Sequence, residues 1–452
     1  MPCASGTDLD VALGVVTDFT KHHPYTPAGT LRPRNRGELV RAILTAEAAG
    51  KKAKAQGANF SLSSAQVSDG FVIDALRLDR HLSLPVPDTT GSLASDRLRA
   101  AGGELAKLVR PGVSLGGKFL VHVEAGIRLK QLIEDLDGLG LALPTMGSRG
   151  ALSLAGALAT GTHGSDIDRP PLGDFVRAIH LVGPGGQEWW IEPSFGVVRA
   201  PDSSNHPDWC PETKIVRDDD FFHAALVSVG RFGVIYSLVL EVEPQYWLHD
   251  KIEKRKWTAV REQLGSCAQS SSYDVPGVFL RSNGDRVRYY AVDLELAKQE
   301  HCWVGRRTVT DNHEDLGLGD AGGSTSFLCD DPKGLGAAVS FMKPLFLALE
   351  GQALAIPFAG LVWAPRIIAF WIELQDTAHD SDTVGDFMAR AFAKLAALPV
   401  SEVGPFFHVE IRAILRDVVE LMFSGEMTPE RRGRSGRILD THNYKSAHCL
   451  NG

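Results

Sequence analysis

Residues Met146–Asp166 read M-G-S-R-G-A-L-S-L-A-G-A-L-A-T-G-T-H-G-S-D. Five of these positions are glycine and most of the others are small. A buried strand would carry Val, Ile and aromatics instead. A helix would lose about 1 kcal/mol at each interior glycine relative to alanine. The segment therefore reads as neither. Glycine at this density lets a backbone come close to something flat or anionic, with its N–H groups free to point at it. The expectation is one wall of a large cofactor site. A glycine-rich surface loop is the competing reading, and it would leave Leu152, Leu154, Ala157 and Leu158 exposed.

Upstream, Glu38–Gly50 has apolar residues at helical spacing and a terminal glycine. Lys51–Gln56 reads as a short strand entering G57-A58-N59-F60-S61, and Gly70–Leu76 as a buried strand. Together they make a small α+β unit. Residues 1–30 look like an irregular lead-in, and 80–118 like an elongated connection. Leu120–Glu124 is a strand. Arg128–Leu139 is an amphipathic helix with Leu129, Leu132, Ile133 and Leu136 on one face. Downstream, Asp174–Val182 and Gln187–Ile191 flank a P-G-G turn, and Asp219–Ala225 starts a helix behind acidic residues. Gly230–Glu243 is a glycine turn into a long strand closed by Pro244. Beyond it, short strands (Val287–Val292, Ile367–Leu374) mix with helices such as Thr383–Leu398.

Composition bounds the function. The chain has 452 residues, 44% hydrophobic and 23% charged, so more than one domain is expected of an ordinary globular protein. Its net charge of −8 argues against a nucleic-acid binder. The basic cluster Arg431, Arg432, Arg434 and Arg437 reads as a solvated loop or an anionic-ligand patch. The six cysteines form no C-x-x-C, and no metal site is expected; scattered free thiols and a cytoplasmic location fit best. No signal peptide is read. Gly351–Pro365 is charge-free but shorter than the roughly 20 residues a spanning helix needs, so no membrane span is expected.

Three segments follow one pattern, a strand and then small residues with available N–H groups. They are Gln56–Ser61, Met146–Ser165 and Gly230–Ile235. Neither a P-loop nor a G-x-G-x-x-G opening a helix is present. A dinucleotide could still be held by backbone donors from several loops.

L-S-L-A-G-A-L-A-T-G-T-H-G-S at 152–165 resembles the hallmark of the FAD flavoproteins of the vanillyl-alcohol-oxidase type, especially aldonolactone and alditol oxidases. The other landmarks follow in the family's order: L31-R32-P33, G57-A58-N59-F60-S61, G70-F-V-I-D-A-L76, V123-E-A-G126 and G230-R-F-G-V-I235. The resemblance covers residues 30–244. It implies an α+β fold, with a PCMH-type FAD-binding domain of two subdomains and an α+β substrate (cap) domain containing an antiparallel sheet. The expected division is a lead-in at 1–30, the FAD-binding domain at 31–244, the substrate domain at 245–430 and a tail at 431–452 that could return to the flavin. By the same resemblance Ala55, Gln56, Gly57, Ala58, Asn59, Phe60 and Ser61 cradle the pyrophosphate. Ser148, Ser153, Gly156, Thr160, Gly161, Thr162, His163, Gly164 and Ser165 line the flavin and its phosphates, and Ile235 meets the adenine end. His163 reads more readily as a packed histidine than as a proton carrier.

One position departs from the pattern. Relatives with covalent flavin carry histidine in the pyrophosphate loop, where this chain has Phe60. His22, His23 and His81 are alternatives, but none sits in a matching motif. The expected FAD is non-covalent.

The second constellation is H408-V409-E410-I411-R412. On a strand Glu410 and Arg412 share one face, with His408 beside them. An exposed ion pair is the plain alternative. The segment also resembles the alditol oxidase and flavin-linked cholesterol oxidase strand that brings a carboxylate and a guanidinium to the flavin. That resemblance implies catalysis by Glu410 and Arg412, with His408 second in rank and Glu373 a further inward carboxylate. Few residues follow, and H442-N443-Y444-K445 is a remote echo of the family's C-terminal motif.

The implied function is FAD-dependent oxidation of a CH–OH group, in a polyol, a sugar lactone or a lipophilic secondary-metabolite alcohol. O₂ or another acceptor would take the electrons. Flavin-dependent dehydrogenation or oxidative cyclisation of a natural product is a rival, as is a flavin-binding protein without turnover.

Overall fold

The structure is a computed structural model and describes residues 9–17, 23–61, 64–83, 109–147, 150–164, 169–199, 201–202, 209–265, 267–269, 274–276, 289–295, 301–310, 369–373, 408–415 and 446–451. The helix expected at Thr383–Leu398, the basic cluster at 431–437 and His442, Tyr444 and Lys445 lie outside these residues. The chain divides into two compact units, the first being 1–162 with 171–245 and the second 163–170 with 246–452.

The first unit begins with a four-stranded sheet. β1 (Val11–Ala12) pairs antiparallel with β2 (Gly29–Leu31). The expected irregular lead-in thus contributes a strand of two residues, too short to show periodicity. After β2 comes helix α1 (Arg36–Ala48), then β3 (Ala53–Gln56) and β4 (Phe71–Asp74). The sheet order is β1-β2-β4-β3, and β4 runs parallel to both β2 and β3. α1 starts where the Asn35 side chain accepts from the Glu38 N–H at 2.9 Å, while Glu38 accepts back from the Arg34 N–H at 2.9 Å. It stops before Gly50, which has φ +65°.

A seven-stranded sheet follows. Its strands are β5 (His81–Ser83), β6 (Phe119–Glu124), β7 (Leu141–Ala142), β8 (Val176–Val182), β9 (Glu188–Glu192), β10 (Lys214–Arg217) and β11 (Val234–Pro244). The order is β10-β9-β8-β11-β6-β5, with β7 on β11. β8 and β9 form the expected hairpin. Three helices accompany this sheet: α2 (Leu129–Asp137), α3 (Leu154–Ala159) and α4 (Asp219–Leu226). Leu129, Leu132 and Leu136 of α2 are fully buried. α3 corrects the sequence reading, because part of the glycine-rich stretch is helical. Only Gly156 falls inside α3, and Leu154, Ala157 and Leu158 turn into the core.

Two apolar clusters stabilise the unit. One joins β6, β8 and β11 to α2, α3 and α4; the other joins α1, β2 and β4 to Val182, Val234 and Tyr236. Buried polar pairs lie among them. Arg36 Nη1 donates to Glu188 Oε1 at 2.5 Å, and Glu188 Oε2 accepts from His180 Nε2 at 2.8 Å. Arg80 meets buried Glu124 at 2.7 Å, and Trp190 Nε1 donates to Glu192 at 2.6 Å. Removing one partner of the buried Arg36–Glu188 pair would leave a buried charge without its partner, which costs about 3–5 kcal/mol.

The second unit holds β12 (Trp247–Lys256), α5 (Trp257–Gly265), β13 (Cys267–Gln269), β14 (Asp274–Pro276), β15 (Tyr289–Glu295), β16 (His301–Thr310), β17 (Ala369–Glu373), β18 (His408–Leu415) and β19 (Ser446–Asn451). Six strands form one antiparallel sheet in the order β12-β16-β15-β18-β19-β17, and β13 pairs with β14. Cys302 is a buried free thiol. Cys210 is disulfide-bonded, which corrects the expectation of free thiols throughout; linear spacing does not reveal long-range pairing. Among the described residues no helix is long and apolar enough to cross a membrane.

His122 gives the fold a pH dependence. Its ring is fully buried, with Nε2 2.9 Å from Ser237 Oγ and Trp190 edge-on at 5.7 Å. Burial first, and then the neighbouring His180, push its pKa down to about 3. The unfolded chain protonates this imidazole below about pH 6.5, whereas the folded chain refuses the proton until about pH 3. The stabilisation is therefore complete above pH 6.5 and is lost as pH falls through that window, by up to about 1.4 kcal/mol per pH unit. Urea melts of His122→Gln should show lower stability at pH 8 but a shallower decline between pH 6 and pH 4. An unchanged slope would remove His122 from this account.

Candidate cofactor site

Three distant segments of the first unit line one cleft. The first is the loop after β3, from Gln56 to Ser61. The second is the start and outer side of α3, with Leu152, Ser153, Gly156 and Thr160. The third is the approach to β11, from Ser228 to Ile235.

The first two segments touch where a side chain would not fit. A Cβ on Gly57 would sit 1.9 Å from Ser153 Oγ, and a Cβ on Gly156 would sit 2.8 Å from the same atom. The α3 segment is pinned by backbone bonds from Leu154 N–H to the Ile127 carbonyl (2.8 Å) and from Ala155 N–H to the Ala125 carbonyl (3.0 Å). Those carbonyls flank Gly126, whose Cβ would fall 1.7 Å from the Ala75 carbonyl oxygen. The glycine of V-E-A-G is thus a packing necessity. The third segment joins the wall through Val229 N–H donating to the Ala159 carbonyl at 3.2 Å. Val229 adopts φ +49°, a conformation a β-branched residue takes only at a cost of about 1–3 kcal/mol.

The lining suits an anionic, hydroxyl-bearing ligand. Among the described residues its one charged side chain is Lys54, and no carboxylate faces the cleft. Two lining residues hold buried polar atoms without a hydrogen-bond partner, an acceptor at Asn59 Oδ1 and a donor at Gln66 Nε2. Such atoms cost about 1–3 kcal/mol unless a ligand or water satisfies them. The cleft is open to one side and offers about 200 Å³, below the roughly 300–1,000 Å³ of a complete small-molecule site.

Of the residues expected around the cofactor, Ala55–Ser61, Ser153, Gly156, Thr160 and Ile235 line the cleft. Gly161, Thr162, His163 and Gly164 are described but are not in its lining. Ser148 and Ser165 lie outside the described residues. His163 is half-buried, and its Nδ1 donates to the Gly164 carbonyl at 2.7 Å. His81 is buried against Asp135 Oδ2 at 3.0 Å and is not in the cleft lining. Phe60 does line it. The sequence reading missed Gln66, Ala125 and Val229. V-E-A-G pointed at Ala125, but Gln66 and Val229 carry no local signal.

The H408-V-E-I-R412 segment lies in β18 of the second unit. There Glu410 is in register with Asp293 and Asn451, and Arg412 with Ala291 and Cys449. Glu373 lies in β17, opposite Ala447.

Among the described residues the cleft thus combines a glycine-tight wall, a single lysine and two amide atoms without partners. The comparisons name its cofactor. Residues 27–192 match the family model described as FAD binding domain, so FAD is the cofactor of this segment. Over 292 residues the chain is 25% identical to L-gulono-1,4-lactone dehydrogenase of Mycobacterium tuberculosis, covering 65% of this chain and 55% of that protein. Over 231 residues it is 29% identical to alditol oxidase of a Streptomyces species, covering 51% and 42%. A putative D-arabinono-1,4-lactone oxidase of Neurospora crassa is 36% identical over 129 residues, covering 28% and 19%. The chain thus spans about a fifth to just over half of the length of these relatives. Among solved structures, cholesterol oxidase from B. sterolicum aligns with a TM-score of 0.57 at 13% identity, over 100% of this chain and 81% of that one. That likeness speaks for the fold.

Gly57→Ala is expected to separate loop 56–61 from Ser153, at a cost of about 1–3 kcal/mol. Titration of apoprotein with FAD should show at least tenfold weaker binding. Adding Ser153→Gly should restore most of it, because both atoms a Cβ would meet belong to Ser153. Wild-type affinity in Gly57→Ala would contradict the geometry.

Proposed function

We propose that the chain is an FAD-dependent oxidoreductase that oxidises a CH–OH group of a small molecule, with the second unit as its substrate (cap) domain. The carrying observation is the convergence of three separated segments on a cleft with no carboxylate among its described lining residues, two of the segments lying within the stretch 27–192 that matches an FAD-binding domain. The similarity to lactone- and alditol-oxidising proteins supports a polyol or sugar lactone as substrate.

When bound, FAD supplies the hydride acceptor. The loop Ala55–Ser61 binds its pyrophosphate through backbone N–H groups, with Lys54 as the nearby cation, and Ile235 borders the adenine end. Glu410 takes the proton of the substrate hydroxyl, with His408 as second choice. Arg412, two positions further along β18, orients that hydroxyl and stabilises developing negative charge. Phe60 in the pyrophosphate loop supports a non-covalent flavin, since phenylalanine cannot form the linkage. O₂ or another acceptor completes the turnover.

Two measurements test this. Acid precipitation of the yellow protein should leave the flavin in the supernatant; a yellow pellet would overturn the non-covalent assignment. With a substrate drawn from a panel of polyols and sugar lactones, stopped-flow bleaching at 450 nm (about the usual flavin maximum) should slow at least a hundredfold in Glu410→Gln and Arg412→Met. Unchanged rates would sink the catalytic roles.

A further inference from the structure

The cofactor loop is held from behind by the segment that reads in sequence as an irregular lead-in. Val16 and Tyr25 form an antiparallel bridge, each N–H bonded to the other's carbonyl at 2.8 and 2.9 Å. Two contacts run from the ends of this bridge to the loop. Tyr25 Oη donates to Gln56 Oε1 at 3.0 Å. Asn59 Nδ2 donates to the Thr17 carbonyl at 2.6 Å. The loop is thereby fixed at its first residue and at its middle. Tyr25 is only 9% exposed, and burial pushes its phenol pKa up, so the hydroxyl remains a donor throughout the neutral range.

We propose that Tyr25 and the Thr17 carbonyl are positioning groups for the cofactor, holding the Gln56 and Asn59 amides in the orientation that receives the diphosphate and an adjacent hydroxyl of FAD. The inference rests on the FAD reading above. Each contact decides which end of an amide faces the ligand. Tyr25 occupies the oxygen of Gln56, so its NH₂ group is the end offered to an anion. Thr17 occupies the nitrogen of Asn59, so Oδ1 is the end offered, and this atom is buried without a partner. Oδ1 accepts a hydroxyl proton and repels a phosphate oxygen. The pair therefore reads a diphosphate flanked by a polyol or ribose hydroxyl rather than inorganic phosphate. Asn59 sits at φ +66°, a conformation asparagine tolerates and most residues avoid. A loop fixed before the ligand arrives loses less entropy on binding.

Tyr25→Phe removes one hydroxyl and keeps the ring. FAD titration of the apoprotein, followed by flavin fluorescence, should show a dissociation constant raised about three- to tenfold. Hydrogen exchange at residues 56–61 of the apoprotein should quicken. In a Gln56→Ala background Tyr25→Phe should add nothing, because its effect passes through Gln56. Asn59→Gly preserves the backbone conformation and removes the tether, and should weaken FAD binding to a similar degree. A melting temperature lowered in Tyr25→Phe with unchanged FAD affinity would make the contact a plain structural staple and overturn the proposal. So would additive effects of Tyr25→Phe and Gln56→Ala. A wild-type chain that takes up no FAD would overturn the cofactor reading as well, so the two failures are distinguishable.

Discussion

The first unit depends on one close approach. Gly57 and Ser153 lie nearly a hundred residues apart, yet a single added carbon on Gly57 would sit 1.9 Å from the serine oxygen. The Gly57 backbone and the Ser153 side chain meet this closely because each is placed by its own element. On one side β3 delivers the loop, and the parallel pairing of β3 with β4 sets where it ends. On the other, β6 runs into Gly126, and the carbonyls beside that glycine hold the start of α3. Gly126 itself packs against the Ala75 carbonyl just past β4, so the same strand positions both walls.

Burial of charge reinforces the arrangement. Arg36 of α1 pairs with Glu188 of β9, and Glu188 pairs in turn with His180 of β8. Helix and hairpin belong to different sheets, and apolar contact alone would let them slide against each other. An ion pair in a dry interior tolerates little displacement, because separation leaves two desolvated charges. Arg80, which is partly exposed, bonds buried Glu124 between the chain entering β5 and the end of β6. These pairs need not stabilise the fold more than apolar side chains of similar size. They specify one register of the elements that carry the loops, and a cofactor site built from loops needs that rigidity.

Much of the first unit was legible because its elements carry strong local signals. The helical spacing and terminal glycine of Glu38–Gly50, the leucine face of α2 and the P-G-G hairpin turn each depend on residues a few positions apart. α3 was not legible. Counting glycines across all of Met146–Asp166 hid the six residues Leu154–Ala159, which hold only Gly156 and turn three apolar side chains inward. Gln66, Val229 and the two-residue strand β1 were missed because their roles come from long-range contacts. His81 was a linkage candidate by proximity in sequence, but its partner Asp135 lies 54 residues away and accounts for it.

The lining of the cleft also bears on how the chemistry is divided. Among the described residues it holds a lysine, amides, hydroxyls and glycine backbone, with no carboxylate and no histidine. Such a surface can bind a diphosphate and orient it, but it has no group that accepts a proton near neutral pH. The alcohol oxidation proposed above needs that acceptor, which would then come from residues outside the lining. In the proposed reading Glu410 and His408 meet this requirement by residue type, and Arg412 is the cation assigned to the reacting hydroxyl. On the proposed reading, the case for turnover rather than flavin storage therefore depends on β18 more than on the cleft, although the cleft carries the recognisable signature.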